Sequence, residues 1–86
     1  MLNELFNGFS NFALDSIYSS SSNTIKMLEK KYRNGEISSY MYMDKLGEIQ
    51  LKCVNACATA QKAGKSDLAN KFRRLVDHCD RLIQRC

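Results

Sequence analysis

Eighty-six residues make one domain, and an apolar fraction of 44% excludes wholesale disorder. Proline is absent, the four glycines are scattered, and period-two runs are missing, so sheet architectures are excluded in favour of an all-α fold. The net charge of +4 is uneven: residues 1–25 hold Glu4 and Asp15 and no Lys or Arg, so all thirteen basic residues stand between Lys26 and Arg85.

The first predicted element is a helix over about 2–33. Leu2, Leu5, Phe6, Phe9, Phe12, Ala13 and Ile17 fall on one broad helical face, and Leu14 lies off it. A membrane-surface helix carries Lys or Arg on its polar side, and this segment has none. Phe6, Phe9 and Phe12 therefore read as a face that docks on the rest of the domain or on a second copy of the chain. Residues 19–24, SSSSNT, leave the helix open to a break, because Ser and Asn compete with the backbone for hydrogen bonds. Ile25, Leu28 and Tyr32 then share one side, and Asn34-Gly35 ends the element, glycine being the usual left-handed stop.

Ser38 or Ser39 starts a second helix, predicted over 38–63. Tyr42, Leu46, Ile49, Cys53, Ala56, Ala60 and Ala63 repeat at four-three spacing, with Met43, Val54 and Cys57 widening the face and Leu51 off it. The alanines at 56, 58, 60 and 63 thin its second half, where a neighbour can approach closely. Gly64-Lys65 closes it, and Ser66 is the expected cap of a third helix over 66–86, with Asp67 favourable in the first turn. So short a turn makes helices two and three an antiparallel hairpin, and the whole a three-helix bundle.

The third helix is striped. Leu68, Phe72, Leu75, Cys79, Leu82 and Cys86 form a seam, and Ala69, Val76 and Ile83 widen it beyond what one neighbour needs. Lys71, Arg74, His78, Arg81 and Arg85 form a basic line about 21 Å long at 1.5 Å per residue. Asn70, Arg73, Asp77, Asp80 and Gln84 form a third, and Asp77 is expected to pair with Arg73, Arg74 or Arg81.

Chemistry is sparse. Cys53 and Cys57 share a face, as do Cys79 and Cys86, but the second spacing breaks a twin C-x3-C pattern, and Cys86 is out of reach of Cys57 across the hairpin. Cys53, Cys57 and Cys79 supply too few ligands at the wrong spacing for a zinc site, so they read as reduced, small core residues, with Cys86 exposed. The one histidine, His78, diverges from its neighbour Cys79, which excludes a Cys–His nucleophile pair. No glycine-rich phosphate loop and no pair of acids on an apolar face is present. The chain reads as non-catalytic, with no metal and no cofactor.

Leu28-Glu29-Lys30-Lys31-Tyr32-Arg33-Asn34-Gly35-Glu36-Ile37-Ser38, followed by Tyr42 and Leu46, resembles the SHOCT hairpin, written L-x-x-L-x-x-G-x-I-T-x-x-E-F. Met41 stands where that motif has Glu, and the likeness covers under a quarter of the chain. It implies a helix–glycine turn–helix and no particular function.

The functional expectation is a small helical protein that binds another macromolecule, as an adaptor, a chaperone-like factor or an inhibitor. The basic stripe suits an acidic protein surface. Tyr40 and Met41, left over by the seam of the second helix, offer an apolar patch. Nucleic-acid binding by the stripe is the alternative, although no aromatic interleaves it for base stacking. A structural homo-oligomer through the Phe face is the third reading. No run approaches the roughly 20 apolar residues of a membrane span, and no charged leader precedes an apolar core, so a cytoplasmic protein without membrane contact is expected.

Overall fold

The structure, a computed structural model, describes the backbone of residues 2–86 and the side chains of residues 13–86. Three helices follow in order: α1 (Leu2–Arg33), α2 (Ser39–Lys62) and α3 (Ser66–Gln84). Short links, residues 34–38 and 63–65, force each helix antiparallel to the one before, so α1 and α3 run parallel. The predicted all-α three-helix bundle with its α2–α3 hairpin is the fold observed.

Both turns are built alike. Gly35 and Gly64 adopt φ of 76° and 74°, the left-handed region that an L side chain enters only with strain. Around them the amides of Glu36 and Lys65 donate five residues back, to the carbonyls of Lys31 and Ala60, both at 2.9 Å. The glycine amides donate to Tyr32 and Gln61, both at 3.1 Å. This is the Schellman closure, which satisfies carbonyls that a helix end otherwise leaves open. Ser38 caps α2, its Oγ accepting from the Met41 amide at 3.1 Å. The expected cap at Ser66 is corrected: Ser66 is the first helical residue of α3, and the cap position is Lys65, which makes no side-chain cap bond.

The possible break over 19–24 does not occur; α1 is continuous through the serines. The reason is tertiary. Leu14, Tyr18, Ser21, Ile25, Leu28 and Tyr32 form an unbroken four-three seam, and Leu14, Ser21, Ile25 and Leu28 are buried. Each serine costs about 0.5 kcal/mol of helix propensity against alanine, whereas burying each Leu or Ile contributes about 1.5–3 kcal/mol. Thr24 adds a local bond, donating from Oγ1 to the Ser20 carbonyl at 2.8 Å. Leu14, off the Phe-led face, is thereby a core residue: the face that meets α2 is set by Ile25 and Leu28 and extends back from them. Phe6, Phe9 and Phe12, the expected docking face, lie outside the residues whose side chains are described.

The centre of the core is Leu46, Cys53, Ala60, Phe72 and Cys79, none with any exposed surface. The broad face of α3 meets two neighbours. Against α2, Gln50 Nε2 donates to the Val76 carbonyl at 3.2 Å, and the Cys57 thiol to the Ala69 carbonyl at 3.3 Å. Against α1, the Phe72 ring receives Tyr18 edge-on, centroids 5.8 Å apart and planes at 80°. Ala56, Ala60 and Ala69 let α2 and α3 approach closely, and the α2–α3 contact is much the more extensive of the two. Among the described residues no helix is long and apolar enough to cross a membrane.

Candidate functional site

The basic line of α3 divides in the structure. Lys71 and His78 turn toward α1. The Lys71 ammonium sits 5.6 Å from the centroid of the Tyr18 ring, at cation–π distance. The His78 Nε2–H donates to Glu29 Oε1 at 3.2 Å, and the other oxygen of that carboxylate accepts from Arg33 Nη2, also at 3.2 Å. Glu29 is thus shared by the guanidinium of its own helix and the imidazole of α3. The expected neutralisation by Asp77 is corrected: Asp77 makes no ion pair among the described residues, and Arg73 bonds instead to Asn70 at 3.4 Å. Asp77 points outward, and the acid that tempers the stripe arrives from α1.

Arg74, Arg81 and Arg85 remain. All three are exposed, and none forms an ion pair among the described residues. They stand seven and four residues apart, an edge about 16 Å long. Lys26 of α1 joins them: it is three residues before Glu29, on the flank of α1 that turns to α3, and it is exposed. Lys30 follows Glu29 directly and stands about 100° around α1, on its outer side. The link between the two helices needs the parallel α1–α3 pairing, which periodicity alone does not supply.

Arg85 also borders a recess where the C-terminal ends of α1 and α3 meet the start of α2, lined by Glu29, Tyr32, Arg33, Tyr42 and Leu82. There Tyr32 stacks on Tyr42, ring centroids 4.4 Å apart and planes 15° from parallel. Burial first, and the Glu29 carboxylate second, raise the pKa of the Tyr42 hydroxyl. The recess is a packed junction with one wall of mixed charge.

Tyr40 and Met41 are both exposed, at 79% and 48%. They do not form one patch: consecutive helical residues diverge by about 100°. Met41 flanks the side of α2 that meets α1, whereas Tyr40 heads a line on the far side. That line includes Leu51 and Val54, exposed at 64% and 46%. Its signal was in the spacing, but Asp44 and Gly47 interrupt its hydrophobicity.

The cysteines are free thiols. Cys53 and Cys79 are fully buried. Loss of water pushes the Cys79 thiol up to about 11, and the neighbouring Cys53 adds to the rise. Burial likewise raises Cys53, opposed by the Ser21 hydroxyl that faces it. Among the described residues no group of three or more His, Cys, Asp or Glu side chains comes together as a metal site would require. No family model, curated protein or solved structure matches the chain.

Proposed function

We propose that this protein works by binding another macromolecule, as an adaptor, a chaperone-like factor or an inhibitor, and that it recognises an acidic protein surface along Arg74, Arg81 and Arg85. The supporting observation is that these three guanidinium groups share one edge of a buried-seam helix and form no ion pair with a carboxylate among the described residues. Planar guanidinium groups suit bidentate pairing with carboxylates. Lys71 and His78, the other members of the stripe, serve the α1–α3 junction in this reading, as positioning groups behind the edge. The reading assigns no catalytic residue and no cofactor, and it takes a cytoplasmic setting, in which the four thiols stay reduced.

The test is anisotropy with a fluorescent poly-glutamate peptide as probe. The full chain is expected to bind it at low salt, and Arg74→Glu/Arg81→Glu/Arg85→Glu to abolish binding while Lys71→Gln weakens it little. Equal binding by the triple variant would sink the reading.

A nucleic-acid regulator is the second reading, favoured by Lys26, which carries the basic edge onto a second helix. It requires duplex DNA or RNA to outcompete the peptide, with affinity falling steeply with salt, at a log–log slope of about −0.9 per phosphate contacted.

A further inference from the structure

The four-three rhythm occurs twice on α2. The inward seam is Tyr42, Leu46, Ile49, Cys53, Ala56 and Ala60. Two places out of phase runs a second: Tyr40, Asp44, Gly47, Leu51, Val54, Ala58 and Gln61, spaced four and three throughout. A shift of two residues turns it about 160° from the first, so it faces away from the core. Its exposures agree, at 79% for Tyr40, 64% for Leu51 and 46% for Val54. Val54 and Ala58 continue into the groove between α2 and α3, which Val76 and Arg73 close from the other side.

Among the described residues nothing requires Gly47 to be glycine: its φ is not positive, and a Cβ built on it meets none of them within 4 Å. In a helix interior it costs about 1 kcal/mol against alanine. A glycine on an uncovered seam is explained when the backbone of another helix must come near.

We propose that the outer seam of α2 is the self-association surface of this protein, and that a second copy packs on it antiparallel, about a twofold axis between Leu51 and Val54. Charge selects both occupant and direction. With the axis there, Leu51 of one copy meets Val54 of the other, Gly47 meets Ala58, and Asp44 comes level with Gln61 and Lys62. Asp44 and Lys62 are exposed and form no ion pair among the described residues. The twofold brings them together twice, once at each end. A parallel pairing sets Asp44 on Asp44 and Lys62 on Lys62, which repels at both ends. Small residues face small and branched residues face branched along the middle, so the helices close on Gly47 without leaving a gap.

This surface is separate from the arginine edge: Arg81 stands five residues beyond Val76, about 140° around α3. The proposal therefore goes beyond the function argued above, and either can fail alone.

Sedimentation equilibrium of the full chain, thiols reduced so that Cys86 forms no bridge, reads the association directly. The mass should rise reversibly with concentration from 9.8 kDa to twice that value. Leu51→Glu, at a position already exposed, should raise the dimer dissociation constant at least about tenfold with helicity by circular dichroism unchanged. Asp44→Lys should weaken the dimer, and adding Lys62→Asp in the same chain should restore it. Gly47→Ala gives opposite signs in one variant: a midpoint of the dilute monomer higher by about 4 °C, and a weaker dimer. A chain that stays monomeric up to about 1 mM, dimerisation by Leu51→Glu equal to the parent, or a charge swap that restores nothing would each overturn the proposal. So would a dimer abolished by Phe6→Ser/Phe9→Ser/Phe12→Ser and indifferent to Leu51→Glu, which would move self-association to the Phe face.

Discussion

Cys53 and Cys79 have no exposed surface, and removal from water disfavours their thiolates. The thiolate is the nucleophile, so these two thiols are held inert by the fold. Iodoacetamide at pH 8 should modify Cys86 first, Cys57 slowly because its thiol is partly buried and donates to the Ala69 carbonyl, and Cys53 and Cys79 only as the chain unfolds. Rapid modification of all four in the native state would contradict the burial. The same burial sets a pH dependence. A thiol in the unfolded chain ionises near 9, whereas Cys79 holds its proton to about 11. Stability from this residue is flat below pH 9 and falls as pH climbs toward 11, because the unfolded state ionises first; the loss is at most about 3 kcal/mol. Urea midpoints at pH 8 and 10.5 measure it. Cys79→Ala, whatever its packing cost, should flatten the decline, and an equal decline in the variant would assign it elsewhere.

At the scale of the element, the sequence reveals what is local and conceals what is relational. Both glycine turns, the Ser38 cap and the inner seams of α2 and α3 are readable because each is a short-range pattern whose physics sits within a few residues. The fate of Ser19–Thr24 is not readable in that way. Serine propensity argues for a break, and only the location of a partner for Leu14 and Ile25 decides against it. The division of the basic stripe is relational too, since Glu29 is far from His78 in sequence. Ser21 gives the sharpest test. Its side chain is buried and faces Cys53, so Ser21→Leu should overpack the α1–α2 contact and cost about 1–3 kcal/mol. Ser19→Ala, on the exposed side of the same turn, should stabilise by a few tenths of a kcal/mol, up to about 0.5. Chemical denaturation distinguishes them; similar effects at both positions would mean that the serine run does not pack as described.

Across the whole molecule, and among the described residues, α1 packs less extensively than its two partners, and more on α2 than on α3. α3 packs extensively on α2, while its junction with α1 rests on Tyr18 against Phe72, Lys71 over Tyr18, and the Glu29 carboxylate shared by Arg33 and His78. Glu29→Gln should cost about 1 kcal/mol. It should also raise amide exchange in α1 above that of α2 and α3, since weakly packed elements open first. Stopped-flow kinetics should place that cost in faster unfolding, with the refolding rate little changed, if the α2–α3 hairpin forms before α1 docks. A cost carried by slower refolding would put α1 in the folding nucleus.

The Gly64 turn bears on time as well as shape. By returning the chain after three residues it makes the α2–α3 pairing the contact with the shortest loop to close and the least entropy to lose. α1 precedes both partners in synthesis, yet the groove that receives Leu14, Ser21, Ile25 and Leu28 exists only once that turn has closed. During that interval α1 has its apolar line in water and no place to put it. A nascent chain of this design depends on Ser21 in a second way: one small polar residue on the apolar line keeps the waiting helix from presenting a continuous greasy stripe.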